Sequence, residues 1–217
     1  MPARKIPKNY RNVTGIAAAG KAEGAAGFES TLERDFLTLL EFSPDVERFE
    51  VQPVTLSWHD GTGERRYTPD ALVHFRRTER TTPAVILYEV KYRAELREKW
   101  EELRPKFRAA IRFARAQGWR FKLISEREIR TTYLDNARFL LPYVRQGPPP
   151  VADMDLLDAM LRGRREANVE QLLQVACQDQ WNRARLLPAA WYLVGTFHFG
   201  ADLHSPLTMH SLLWIRQ

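Results

Sequence analysis

A single cysteine, Cys177, occurs among the 217 residues. That excludes an internal disulfide and leaves no CxxC or Cys/His cluster for structural zinc, as fits a reducing cytosol. Histidine is scarce too: His59, His74, His198, His204 and His210 show no i, i+4 spacing of a helical zinc pair. No run approaches the ~20 apolar residues that cross a bilayer. The basic start MPARKIPKNYR has no continuous apolar stretch of the signal-peptide kind. A soluble cytoplasmic protein is expected. Internal repeats are missing, and the only biased tract is the small-residue stretch AAAGKAEGAAG.

What is present is an ordinary globular composition, 44% hydrophobic and 28% charged, with enough apolar material for a core. The net charge of +6 and pI near 9.6 suit a polyanionic partner, because lysine and arginine release counterions from phosphates. Charge alone does not identify that partner. Residues 1–27 carry Arg4, Lys5, Lys8, Arg11 and Lys21 against Glu23, and are expected to form a basic flexible arm.

From Glu29 to Phe42, Leu32, Phe36, Leu39 and Leu40 recur at helical spacing. VERFEVQPVTLSW and RRYTPDALVHFRR flank the turn HDGTGE, which predicts a β-hairpin. AVILYEVKY is a short apolar run ending in charge, as expected of a central strand. Ala94 to Gln117 predicts one long helix that Pro105 kinks and Gly118 stops. WRFKLIS returns as a strand, and Ser125 with Glu128 forms a capping-box pattern. QGPPP at 146–150 has the composition of a stiff linker. Beyond it, helical patterns at 153–162, 169–177 and 180–194 precede a strand-like end, the layout of a winged helix. The expected class is α/β, with a restriction-endonuclease-like mixed-sheet core over 28–147 and a winged-helix-like domain over 148–217. Trp181, Trp191, Tyr192 and Trp214 are expected in the core, because aromatics at such spacing mostly pack.

The informative chemistry is Pro69-Asp70 in the hairpin and Glu89-Val90-Lys91 in the central strand. Alternation along a strand puts Glu89 and Lys91 on one face, and pairing of the two strands brings Asp70 beside Glu89. Carboxylates suit Mg²⁺, a hard cation that takes oxygen ligands and keeps several waters. Glu33, on the first helix, supplies a third carboxylate or holds a second ion. Lys91 beside the metal orients water and stabilises charge on a scissile phosphate. Alone, PD…ExK is a loose pattern, since charged strand ends are usually solvated and Pro-Asp is common in turns. Its setting, a hairpin and a buried strand behind an acidic helix, is the one a PD-(D/E)xK nuclease requires.

FESTLERDFLTLLEFSPDVERFEVQP, YTPDALVHF, LYEVKYR, WRFKLISEREIR followed by LDNARFLLPY, and DLHSPLTMHSLLW resemble the TnsA endonuclease subunits of heteromeric transposases. The resemblance implies that Glu33, Asp70 and Glu89 are the metal ligands and that Lys91 is the catalytic lysine. Some members carry Gln at the position of Glu89. Glu29, one helical turn before Glu33, competes for the helix role, and Gln52 is implied at the rim of the site. Also implied are two Mg²⁺ ions with Mn²⁺ able to substitute, cleavage at the 5′ ends of a transposon, and association with the nucleoid. The implied partners are double-stranded transposon-end DNA, a DDE-type transposase and an AAA+ ATPase regulator. Arg162, Arg164, Arg165, Arg183 and Arg185 are candidates for phosphate contact. A stand-alone restriction-like or junction-resolving nuclease and a non-catalytic DNA-binding adaptor are the alternatives.

Overall fold

The structure is a computed structural model that describes residues 15–16, 19–59, 63–76 and 84–216. The chain divides into two compact units, Met1–Arg130 and Thr131–Gln217. Most of the basic N-terminal residues lie outside the described residues.

The first unit opens with a short antiparallel pair, β1 (Gly15–Ile16) and β2 (Gly27–Phe28), followed by α1 (Thr31–Phe42). α1 forms because Ser30 caps it, accepting from the Glu33 N–H, and because Leu32, Phe36, Leu37 and Leu40 bury one face. The expected hairpin is longer and interrupted. β3 (Val46–Val51) pairs with β6 (Ala71–Phe75), and β4 (Leu56–His59) pairs with β5 (Glu64–Tyr67). The ribbon breaks where Pro53 and Pro69 lack the N–H that a ladder requires and where Gln52 turns to φ +50°.

β7 (Val85–Val90) lies between antiparallel β6 and parallel β8 (Arg120–Ile124), giving a mixed sheet in the order β3-β6-β7-β8. The crossover from β7 to β8 is helical, as parallel neighbours require. It is two helices, α2 (Arg93–Glu98) and α3 (Trp100–Ala116), where one kinked helix was expected. The break falls at Lys99, and α3 runs through Pro105. Pro105 is the sixth residue of α3, in its second turn, where it forgoes the backbone bond that an N–H would give to Glu101 O. α4 (Glu126–Ile129) carries the expected Ser125/Glu128 capping box.

The helices cover opposite faces of β7. Leu87 packs with Leu72, Leu56, Ala110 and Ala114 on the α3 side, whereas the Tyr88 ring stands 5.1 Å from Phe36 of α1 on the other. Residues 21–27 are not a free lead-in. Ala22 bridges Phe49 in parallel, Phe49 N–H donates to Lys21 O at 3.0 Å, and Ala26 is buried.

The second unit begins with α5 (Thr132–Arg145), so the division of the chain falls before this helix and QGPPP lies inside the unit. α6 (Val151–Arg164), β9 (Glu166–Asn168), α7 (Val169–Ala176), α8 (Gln180–Gly195), β10 (Phe199–Ala201) and β11 (Leu212–Ile215) follow. α5 belongs here because it packs on α8, with Phe139 and Trp191 rings 5.1 Å apart and Gly195 admitting Val144. The strands form an antiparallel sheet, β10-β11-β9. Asn136 donates to the carbonyls of Leu203 and Ser205 and accepts from Leu207 N–H, pinning the β10–β11 loop to α5. Trp191 is core as expected, but Trp181 is 85% and Trp214 40% exposed. Trp181 stands in the first turn of α8, and the Trp214 indole lies over Gly200, where a Cβ would come within 2.1 Å of Nε1.

Candidate active site

The site is built at the C-terminal end of β7. The β6–β7 register pairs Ala71 with Tyr88, and Asp70 N–H donates to Tyr88 O at 3.1 Å, so the next residue along, Glu89, stands beside Asp70. Asp70 Oδ2 accepts from Val90 N–H at 2.6 Å, fixing the carboxylate across the strand end, while Oδ1 has no partner among the described residues. Lys91 follows on the Glu89 side of the strand, its Nζ 3.7 Å from Glu89 Oε1.

Glu33 stands on the first turn of α1 and is turned toward its own helix start. Oε2 accepts from Glu29 N–H at 2.8 Å and Oε1 from the Ser30 hydroxyl at 2.9 Å. Its carboxyl is nevertheless part of the cluster: its charge is felt at both Asp70 and Lys91. Among the described residues no three carboxylate, histidine or cysteine side chains stand as a preformed ligand set. Glu29, the competing carboxylate, lies before the Ser30 cap and not, as expected, on the helix, and it accepts from Gln52 Nε2 at 3.3 Å.

Electrostatics mark these groups as one site. Burial, reinforced by the Glu89 charge, pushes the Asp70 carboxyl well above its ordinary range. Burial also raises Glu33, although hydrogen bonds from Glu29 and Ser30 oppose it. At Lys91 burial works against the charge, but Asp70, Glu89, Glu95 and Glu33 together outweigh it and hold the ammonium above its usual value. Carboxylates crowded so that they resist ionisation are relieved by a bound cation, which inverts the local balance.

Glu89 is the most deeply placed member, only 1% exposed. Its partners were not legible as site residues in the sequence. Tyr67 of β5 donates its hydroxyl to Oε2 at 2.5 Å, and Lys106 of α3 donates to Oε1 at 3.0 Å. The only signal for Lys106 was a lysine one residue from Phe107 on the packed face of a charged helix. Arg130 was missed likewise. It donates to buried Asp35 at 2.9 Å and to the hydroxyls of Thr31 and Tyr92, tying α1 to the segment just after Lys91.

Gln52 lies next to Asp70. Its N–H donates to Asp70 O at 2.9 Å, its φ is +50°, and its buried Oε1 has no hydrogen-bond partner among the described residues. A buried acceptor left open costs about 1–3 kcal/mol. The carboxylate oxygens of Asp70, Glu89 and Glu33 are the donor type that hard cations such as Mg²⁺ and Mn²⁺ take.

The family model described as the TnsA-like endonuclease N terminal matches residues 43–126. Residues 43–126 are thus similar to the nuclease domain of the TnsA family. The TnsA-like stretch runs from the start of β3 to α4 and contains Gln52, Tyr67, Asp70, Glu89, Lys91 and Lys106; Glu33 lies just before it. No curated protein matches the chain.

In the second unit, two of the five candidate phosphate-contacting arginines are engaged elsewhere. Arg162 pairs with Asp158 at 2.6 Å and Arg185 with Asp153 at 2.8 Å. Arg164 and Arg165 are exposed. No helix among the described residues is long and apolar enough to cross a membrane.

Proposed function

We propose that the protein is the Mg²⁺-dependent endonuclease subunit of a heteromeric transposase and cuts donor DNA at the 5′ ends of the element. The observation that carries this is the meeting of Asp70, Glu89 and Lys91 at one strand end inside a TnsA-like stretch. Asp70 and Glu89 would hold the metal, with Glu33 as the third carboxylate. A divalent ion there supplies Lewis-acid stabilisation and an activated water. Lys91 would orient the attacking water and meet charge developing on the phosphate, with Gln52 at the rim of the site. Mn²⁺ substitutes, and a second ion belongs with Glu33.

The second unit has the element order of a winged helix, with α6, α7 and α8 framing a small antiparallel sheet. That order supports a winged-helix-like module that contacts the ATPase regulator and DNA, the latter through Arg164 and Arg165. The partners proposed for the whole protein are transposon-end DNA, a DDE-type transposase and an AAA+ ATPase, in the bacterial cytosol. Strand-mapped cleavage of an end-containing donor plasmid, in Mg²⁺ with the cognate transposase and ATPase, tests this. The wild type cuts the 5′ strands and Asp70→Ala does not. Transposon-independent cutting by the purified chain points to a stand-alone nuclease, and intact 5′ strands with the wild type point to an adaptor.

A further inference from the structure

Glu89 is held by more positive charge than a metal ligand needs. Its carboxylate is 1% exposed, Tyr67 donates to Oε2, and two ammonium groups converge on Oε1: Lys106 at 3.0 Å and Lys91 at 3.7 Å. A divalent ion that takes Glu89 meets an oxygen already carrying a cation. Aromatic faces hold Lys106 in this position as well, its ammonium 4.7 Å from the Tyr67 ring centroid and 5.2 Å from that of Phe107.

We propose that Lys106 is a resident counter-cation that competes with the metal ion for Glu89 and thereby sets how tightly the site takes the ion. The proposal rests on the carboxylate cluster being a metal site. Without metal, Lys106 keeps a buried carboxylate compensated, which spares the cost of an unpaired charge. With metal, the same ammonium repels the ion across a few ångströms of partly buried space. A unit charge at that range changes affinity on the order of tenfold. Lys106 is therefore a positioning residue that acts through Glu89, and its removal strengthens metal binding. A lysine that merely supported the fold gives the opposite sign, since its loss loosens Glu89 and weakens binding or leaves it unchanged.

The test is calorimetric titration of Mn²⁺ into the full chain without DNA, comparing wild type with Lys106→Met, Lys106→Gln and Lys106→Arg, and using Asp70→Ala to define binding at this site. Lys106→Met and Lys106→Gln should bind Mn²⁺ about tenfold more tightly than wild type, and Lys106→Arg, which keeps the charge, about as wild type. If Lys106→Met does not fold, Lys106→Gln retains a polar head at the end of a flexible stem and carries the comparison. Folded Lys106→Gln with unchanged or weaker Mn²⁺ binding overturns the role of Lys106 while leaving the metal site standing. No Mn²⁺ binding by wild type or any variant overturns the metal site and this role with it.

Discussion

At the scale of single residues, the site is a negotiation between burial and charge. Asp70 holds one oxygen on the Val90 N–H and keeps the other open, while Glu89 has partners on both. Tyr67 therefore has a structural as well as a chemical consequence. Tyr67→Phe removes the donor to a buried carboxylate and should cost about 1–3 kcal/mol in denaturant unfolding; an unchanged midpoint would show that the hydroxyl contributes nothing. Lys91→Ala should lower cleavage by on the order of 10²-fold or more while leaving DNA affinity nearly intact, as measured in single-turnover assays beside equilibrium binding. Comparable losses in both would make Lys91 a binding residue only. PD…ExK was readable here because strand alternation and antiparallel register follow from sequence order alone. Tyr67 and Lys106 were not, because their approach to Glu89 depends on how β5 and α3 pack over the sheet.

At the scale of elements, the paired strands, the crossover and the helices were legible wherever hydrophobic period and caps agreed. The Ser125/Glu128 box is an example. The breaks were not. Lys99 interrupts the crossover although Pro105 carries the louder signal, and the hairpin splits where a buried glutamine adopts a positive φ that its type does not announce. α5 falls within the expected 28–147 core, ahead of QGPPP, yet it packs on α8, a long-range contact that composition at 146–150 cannot report. In the second unit, Asp158 accepts from Arg162 and bonds to His198, and its carboxyl is held below its ordinary value, chiefly by the Arg162 hydrogen bond. A depressed folded pKa gives stability that is present above the unfolded value of 3.8 and lost as pH falls through the folded one. Thermal unfolding of the wild type should thus lose stability as pH falls below that value, and Asp158→Asn should flatten this part of the profile. Parallel profiles would remove Asp158 from the account. Asn136→Ala, which strips three hydrogen bonds between α5 and the β10–β11 loop, should speed amide exchange over residues 203–207.

At the scale of the whole molecule, the +6 charge is a statement about partners. Affinity for DNA should fall steeply with salt, log K decreasing linearly with log salt at about −0.9 per neutralised phosphate. Salt-independent binding would assign recognition to neutral contacts instead. The TnsA-like stretch contains Asp70, Glu89 and Lys91, while Glu33 stands on the helix just before it. Glu33 is turned to its own cap and Glu89 to Lys106, so on the proposed function a metal ion would have to draw both side chains from these partners.

The most direct measurement is DNA cleavage in Mg²⁺, with the partner proteins present, by wild type and Asp70→Asn matched for folded state. The account predicts Mg²⁺-dependent cutting at the 5′ ends by the wild type and its loss in Asp70→Asn; cutting that persists at the wild-type rate in Asp70→Asn would contradict a metal centre at Asp70.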